Sequence, residues 1–511
     1  MLPTTPDERR HRALRQGPSR AAALLAAAIA GCSSSRSAPP GPSAPERAGP
    51  RGPQVVGEAD VRWSPAEGDV LVDATFAGDG RGRFLIDRSA VPYLHDLEAS
   101  ALAPGQAPRW RAVARGDRAL VIDACAAACR VRYRVALRQA AEAIDDLDWA
   151  GMHGDLVEAP PSTWLLSPSP PAAADDVVRL LRFRVSAPPG AGFATGVFRA
   201  ADSTAEAPVW EIDLRDLWTS PYSAFGALTS RSVDVPGGAL QLAISDGATE
   251  VPRDEIVQWV ARRARAVAGY WGRFPMPGAL VLLAVTPGAR IGGGKTLAGG
   301  GGTVVLRVGA RASEAHFQRD WVLVHELVHL GFPSVPRAHL WAQEGVATYV
   351  EPIARVRAGL LDERAAWREL REGLPKGLPG AGDRGLDHTP TWGRIYWGGA
   401  LFWFLGDLAI RERSGGRLGL EHALRGLLDA GGTNAKRWPL EKALALADRA
   451  VGGSALVDQY HAMMASPHPV ELDAIFLRLG VTLARGEIVL DDAAPLASIR
   501  RAIMHGTDAP R

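Results

Sequence analysis

Two histidines and a glutamate lie close together near the middle of the chain, at His325, Glu326 and His329. They belong to residues 320–330, a stretch without glycine or proline that predicts a helix. A separation of four residues places both imidazoles on one face of that helix, one turn apart. Such a pair suits one zinc ion, and the adjacent carboxylate suits proton removal from water. The pattern indicates metal-assisted hydrolysis, although a short motif also arises by chance, in which case the helix simply buries two hydrogen-bonded histidines.

A third metal ligand is available on the next predicted helix, over residues 340–350. Glu344 follows His329 by 15 residues, across a loop that contains two prolines. Two helices joined in this way can bring the carboxylate opposite the two imidazoles. Two histidines and one glutamate, with a fourth position open, form the ligand set of a catalytic zinc. We therefore predict one Zn²⁺ per chain, held by His325, His329 and Glu344.

These motifs resemble those of a known family. His-Glu-x-x-His followed by Leu-Trp-x-x-Glu-Gly is similar to the gluzincin metallopeptidases, which have a thermolysin-like catalytic domain, and especially to the glycyl aminopeptidase family. The Tyr-x-x-Gly-Ala motif of that family is matched at residues 396–400. The resemblance implies zinc-dependent hydrolysis of peptide or protein substrates, with Glu326 as general base. It also implies that Tyr396 stabilises the tetrahedral intermediate, a contribution of about 3–4 kcal/mol for one such donor.

A glycine-rich segment, residues 291–303, precedes the predicted zinc helix. In the aminopeptidases that the chain resembles, a strand at this point carries an acid that holds the substrate's amino group. Here the corresponding residues are Gly292, Gly293, Gly294 and Lys295, and the lysine would repel an ammonium group. Because glycines let a backbone edge approach a substrate strand closely, we predict that these four residues bind substrate. The resemblance thus favours peptide hydrolysis but leaves open whether cleavage is exo or endo.

Two other functions fit parts of the sequence. The Gly-Lys-Thr run at residues 294–296 is similar to a phosphate-binding loop, but the earlier glycine of that motif would fall at Ala289, and a strand-like segment follows instead of a helix. An ATP-dependent protein is therefore a poor fit. A non-catalytic binding lipoprotein that keeps the peptidase fold is the main alternative. The missing acid favours it, whereas the joint presence of all five candidate catalytic and metal-binding residues opposes it.

The N-terminus has the features of an exported lipoprotein. Five arginines within the first 20 residues precede an apolar run, residues 21–30, that is too short to span a bilayer. This run ends in Ile-Ala-Gly-Cys32, which resembles a bacterial lipobox; a plain signal peptide or an alanine-rich helix is the alternative. We predict a signal peptide over residues 1–31, lipidation of Cys32 and a disordered tether over residues 32–57. The protein would then be anchored in the bacterial cell envelope, at the outer membrane if the host has two membranes.

Cysteine content predicts a disulfide, and net charge limits the classes of binding partner. Of the three cysteines, Cys125 and Cys129 remain once Cys32 is lipidated, and an oxidising compartment favours a disulfide between them over a zinc or redox role. The 58 basic and 56 acidic residues give a net charge of +2, so we predict no nucleic-acid partner. Nothing in the sequence indicates the oligomeric state.

The length of 511 residues and a hydrophobic content of 47% predict two or three domains with sizeable cores. Short alternating apolar runs predict a sandwich-like β domain over residues 58–250. A helix, two strands and the zinc helix follow, so residues 251–360 are predicted to form the thermolysin-like α/β domain that the resemblance implies. Helical patterns predominate over residues 361–511. The predicted fold class is therefore α+β and multidomain.

Overall fold

A computed structural model describes residues 52–78, 82–114, 116, 119–144, 150–169 and 177–507. The predicted signal peptide, Cys32 and most of the predicted tether lie outside these residues. Residues 54–57, which were predicted as part of the tether, belong instead to a strand whose backbone pairs with a second strand that begins at Arg179. Within the described ranges, none of the helices combines the length and apolarity needed to cross a bilayer.

Strands dominate the described residues before residue 228. These elements are β1 (Gln54–Ser64), β2 (Asp69–Phe76), β3 (Arg83–Leu85), β4 (Leu94–Ala101), β5 (Arg111–Ala112), β6 (Ala119–Val121), β7 (Cys129–Val135), α1 (Leu137–Ala143), β8 (Gly151–His153), β9 (Leu156–Ala159), β10 (Ser167–Pro168), β11 (Arg179–Ser186), β12 (Gly192–Thr195), β13 (Trp210–Asp213) and β14 (Ser223–Gly226). They form three sheets, ordered β13-β11-β1-β2-β7-β4-β5, β10-β3-β6 and β12-β14-β9-β8. Alternate residues of β1 and β2 are buried, as expected of sheets with one face on a core. That core includes Trp63, Trp164 and Phe225.

A disulfide joins Cys125 to Cys129 at the beginning of β7. Its two half-cystines are buried against the aliphatic core of the first sheet. The disulfide therefore lies in the core of the β region, away from the histidine-bearing helix.

A mixed sheet of five strands follows. Its strands are β15 (Leu228–Val235), β16 (Gly238–Ser245), β17 (Gly278–Thr286), β18 (Ile291–Leu297) and β19 (Thr303–Gly309), in the order β15-β16-β17-β19-β18. The parallel strands β16 and β17 are connected by α2 (Arg253–Trp271), which makes a βαβ unit. The five-stranded sheet thus begins at Leu228, before the boundary predicted at residue 251. A boundary at residue 251 would divide this βαβ unit. The sequence groups β15 and β16 with the preceding strands because they form an antiparallel hairpin, which continues the earlier pattern.

The remainder of the chain is mainly helical, as predicted. It comprises α3 (Glu314–Arg319), α4 (Val322–His329), α5 (Leu340–Arg357), α6 (Glu363–Gly373), α7 (Gly399–Ser414), α8 (Leu420–Asp429), α9 (Leu440–Val451), α10 (Ala455–Met463), α11 (Leu472–Leu479), the hairpin β20 (Val481–Ala484) and β21 (Glu487–Leu490), and α12 (Ala497–His505). One hydrophobic core extends from the five-stranded sheet through α4 and α5 into these helices. The C-terminal helices therefore share a core with the sheet and do not form a separate one.

Two glycines allow α5 and α7 to cross with their backbones in contact. A Cβ atom on Gly399 would lie 1.9 Å from the carbonyl oxygen of Trp341, and one on Gly345 would lie 2.2 Å from the carbonyl carbon of Gly399. The indole of Trp403 donates a hydrogen bond to the carbonyl of Ala342 at 2.9 Å, beside this crossing. The contact fixes α5 relative to the segment that leads into α7.

A buried polar network holds the same two helices together one turn further on. The hydroxyl of Tyr349 in α5 donates to Asp407 in α7 at 2.8 Å. Asp407 also forms an ion pair with Arg411, with Oδ1 and Nε 2.8 Å apart, and accepts a hydrogen bond from the backbone N–H of Leu420 at 2.8 Å. Glu421 is the second partner of Arg411, at 2.6 Å. Because both Asp407 and Arg411 are fully buried, each needs the other to offset the cost of losing water.

Candidate metal centre

The helix that carries the two histidines, α4, is buried over nearly its whole length. Its beginning is set by Asp320, whose carboxylate accepts the backbone N–H groups of Val322 at 3.1 Å and Leu323 at 3.3 Å. Burial raises the pKa of Asp320 to about 6, against the opposing effect of these two hydrogen bonds. Within the helix, the spacing of four residues makes His325 and His329 project from one side.

Three side chains converge at the position predicted for a metal. Ligand atoms of His325, His329 and Glu344 all lie within 4.8 Å of one another. The Nε2 atoms of His325 and His329 lie 3.4 Å and 3.6 Å from Oε2 of Glu344. Ligand atoms at roughly 2.0–2.1 Å from a tetrahedral zinc are separated by about 3.3–3.4 Å, so the observed spacing leaves room for one such ion. Among the described residues, no other group of three or more histidine, cysteine, aspartate or glutamate side chains brings its ligand atoms together in this way.

The electrostatics of these three residues favour a cation. Burial alone would raise the pKa of Glu344, but attraction from His329 and hydrogen bonds to both imidazoles hold it well below its ordinary value. Burial likewise opposes protonation of His329, yet attraction from Glu344 outweighs burial and raises the pKa of that imidazole. The carboxylate is therefore ionised at neutral pH, and its negative charge would be available to a divalent cation.

The carboxylate of Glu326, the predicted general base, lies against the edge strand β18. The hydroxyl of Thr296 is 2.8 Å from Oε2 of Glu326 and 2.9 Å from its backbone carbonyl oxygen. On the same face of β18, a Cβ atom on Gly294 would lie 2.6 Å from Oε1 of Glu326. Sequence analysis did not identify Thr296; the available signal was its position two residues after Gly294, which places both on one face of a strand.

Tyr396 lies beside His325, the first of the two histidines. It belongs to a π-helical turn, Arg394–Gly398, that leads into α7. Its ring stacks on that of His325, with centroids 6.3 Å apart and planes inclined by 25°. The turn is held by the buried pair of Arg394 and Asp383, 2.8 Å apart. Turns of this kind occur frequently at functional sites, since the extra residue directs a side chain out of the regular helix.

The structure corrects the expectation for Lys295. Its side chain projects from the opposite face of β18 to Gly294 and Thr296, as alternation along a strand requires. The ammonium lies 3.4 Å from the carboxylate of Glu158 in β9 and 3.9 Å from the ring centroid of Tyr222. Burial raises the pKa of Glu158, but His153 and Lys295 outweigh that effect and lower it. The charge on Lys295 is thus matched by a buried carboxylate and does not face Glu326.

The predicted glycines form the outer edge of the five-stranded sheet. Among the described strands, β18 pairs with β19 alone, and its register shifts between Gly292 and Lys295. Gly293 within this irregularity is exposed and has a φ of +64°, which favours glycine. The segment leads through a glycine-rich loop into β19 and not into a helix, so the requirement of a phosphate-binding loop for a helix N-terminus is not met.

Comparison with known proteins identifies solved structures that have a similar fold. No family model matches the sequence, and no curated protein does. Among solved structures, an aminopeptidase N family protein from Idiomarina loihiensis is similar, with a TM-score of 0.62 and 16% identity over 83% of this chain and 78% of that one. An M1 zinc metallopeptidase from Deinococcus radiodurans has a TM-score of 0.50 and 16% identity over 82% of this chain and 95% of the other. A mutant two-domain M1 zinc metallopeptidase bound to L-tryptophan has a TM-score of 0.50 and 15% identity over 82% and 96%. At this identity the similarity shows the fold, and this chain has the fold of the M1 zinc metallopeptidases.

Proposed function

We propose that this protein is a zinc-dependent metallopeptidase of the gluzincin type. The observation that carries the proposal is the convergence of His325, His329 and Glu344 at distances that suit one tetrahedral zinc. Two histidines and one glutamate leave a coordination position open, which is the arrangement of a catalytic zinc. The fold shared with M1 zinc metallopeptidases supports the same assignment.

Two other residues supply the remaining chemistry. A zinc ion held here would polarise the scissile carbonyl and acidify the attacking water. Glu326, next to the first histidine, would accept the proton of that water and deliver it to the leaving amine. The phenol of Tyr396 would donate a hydrogen bond to the carbonyl oxygen as negative charge develops on it, a contribution of about 3–4 kcal/mol.

The outer edge of β18, the last strand of the five-stranded sheet, is the proposed binding surface for substrate. A peptide in extended conformation can add to this edge through main-chain hydrogen bonds, and Gly292, Gly293 and Gly294 let it approach closely. Because Thr296 and Gly294 contact Glu326, a peptide on this edge would lie beside the general base. We therefore propose peptides as the substrate class, with the mode of cleavage to be read from the products.

A peptide-library digest analysed by mass spectrometry tests the proposal. Purified protein with zinc should cleave peptides, and the Glu326→Gln variant should retain zinc but lose cleavage, because an amide cannot accept the proton. Cleavage one residue from free N-termini would indicate an aminopeptidase, and internal cleavage an endopeptidase. Zinc binding without any hydrolysis would instead favour a non-catalytic binding protein, and hydrolysis by the Glu326→Gln variant would overturn the assigned base.

We further propose that the protein is anchored in a bacterial cell envelope through lipid on Cys32, which supports action on peptides outside the cytoplasm. The basis is the lipobox-like sequence Ile-Ala-Gly-Cys32 after an arginine-rich start and an apolar run. Metabolic labelling with a radioactive fatty acid should label the wild-type protein and not the Cys32→Ser variant. Equal labelling of the two would refute lipidation at this residue.

A further inference from the structure

The hydroxyl of Thr296 makes a contact that the proposed chemistry leaves unexplained. It lies within hydrogen-bonding distance of two oxygens, Oε2 and the backbone carbonyl oxygen of Glu326, at 2.8 Å and 2.9 Å. A hydroxyl has one proton and donates to one of them at a time. Because both acceptors belong to Glu326, either hydrogen bond ties this residue to β18.

The surroundings of the carboxylate show why one donor matters. Glu326 is only 7% exposed, so few water molecules can compete for its oxygens. Gly294 lies so close to Oε1 that a Cβ atom there would be 2.6 Å from it. The carboxylate is therefore bounded by a small residue on one side and by a hydrogen-bond donor on the other, both from β18.

We infer that Thr296 is a positioning residue that holds the carboxylate of Glu326 in the orientation required for proton transfer. This inference rests on the proposed peptidase function. Proton transfer requires the base within hydrogen-bond reach of the proton that it abstracts, so an unconstrained carboxylate would spend part of its time in unproductive rotamers. Loss of a supporting hydrogen bond of this kind typically lowers activity about 10- to 100-fold.

The test compares two substitutions of Thr296. The Thr296→Val variant keeps the shape and the strand preference of threonine but removes the donor, whereas Thr296→Ser keeps the donor. We expect the valine variant to lose about 10- to 100-fold in kcat with KM changed less than about twofold, and the serine variant to stay within about threefold of wild type. Zinc content should be the same in all three proteins. In crystal structures, the Glu326 carboxylate should keep its place in the serine variant and turn away from β18 in the valine variant.

A matched control comes from the neighbouring strand. Thr303 in β19 is fully buried, and its hydroxyl donates to the backbone carbonyl of Tyr222 at 3.0 Å, away from Glu326. The Thr303→Val variant should lower the melting temperature without changing kcat. If Thr296→Val behaves in the same way, Thr296 only supports the fold and the inference is wrong. If wild-type protein hydrolyses no peptide, the proposed function itself fails, and this outcome is distinct from an active wild type with an equally active valine variant.

Discussion

The crossing of α5 and α7 can be tested by placing one methyl group in it, with Gly399→Ala. A Cβ atom at this position would lie 1.9 Å from the carbonyl oxygen of Trp341 and 2.8 Å from Cα of Gly345. The backbone of Gly399 is helical, with φ of −64° and ψ of −45°, so alanine introduces no backbone strain and only the contact matters. To relieve the contact, the two helices must separate by more than about 1 Å.

The size of the effect follows from two opposing terms. Overpacking of a buried contact costs about 1–3 kcal/mol, and the higher helix propensity of alanine returns about 0.5–1 kcal/mol. We therefore expect Gly399→Ala to lower the free energy of unfolding by roughly 1–2 kcal/mol. Since Glu344 is adjacent to Gly345 at the crossing and Tyr396 precedes Gly399 by three residues, a shift of about 1 Å should also reduce hydrolysis by up to roughly 100-fold.

Urea unfolding and peptide hydrolysis measure the two effects, with Gly269→Ala as the control. Gly269 lies within α2, is exposed, and has no atom within 4 Å of an added Cβ. Alanine there should raise the free energy of unfolding by about 0.5–1 kcal/mol and leave hydrolysis unchanged. If Gly399→Ala is as stable and as active as Gly269→Ala, the close helix crossing does not position the metal centre.

Two further predictions concern buried charges. Asp407→Ala leaves the guanidinium of Arg411 buried with one partner fewer and should lower the free energy of chemical unfolding by about 3–5 kcal/mol. The control Asp429→Ala removes an exposed partner of Arg273 and should lower it by less than about 1 kcal/mol. Equal losses in the two variants would contradict the role of the network. Because burial raises the pKa of Asp320 from 3.8 to about 6, the folded state binds a proton more tightly than the unfolded state, and stability is lost as pH rises from about 4 to 6. Asp320→Asn does not titrate, so its stability relative to wild type should improve by up to about 3 kcal/mol between pH 4 and pH 7 in urea unfolding; a pH-independent difference would refute the raised pKa.

Local sequence relations were sufficient to predict that His325, His329 and Glu344 lie together. His325 and His329 are four residues apart on one helix, and Glu344 follows across one short loop, so helix geometry alone brings the first two together. Tyr396 could be predicted only through the family resemblance, since it follows Glu344 by 52 residues and no periodicity relates the two. The crossing at Gly345 and Gly399 depends on the tertiary packing of two helices, which a glycine in the sequence does not reveal.

The surroundings of β18 were predicted less well. Side-chain direction along a strand reverses with every residue, and the register shift between Gly292 and Lys295 makes the direction depend on the pairing with β19. Lys295 is predicted to bind substrate, but its ammonium pairs with Glu158. Thr296 faces Glu326, and the sequence analysis does not identify it. The partner of Lys295 is more than one hundred residues away in the chain, so no local pattern could have indicated it.

The most direct test of the metal centre is X-ray absorption spectroscopy at the zinc edge, combined with the metal content of the purified protein. We predict one zinc per chain, with two imidazole nitrogens and one carboxylate oxygen at about 2.0–2.2 Å, and loss of zinc in the His329→Ala variant. A substoichiometric metal content, a coordination shell containing sulfur, or a His329→Ala variant that binds zinc as wild type does would contradict the assignment of His325, His329 and Glu344 as its ligands.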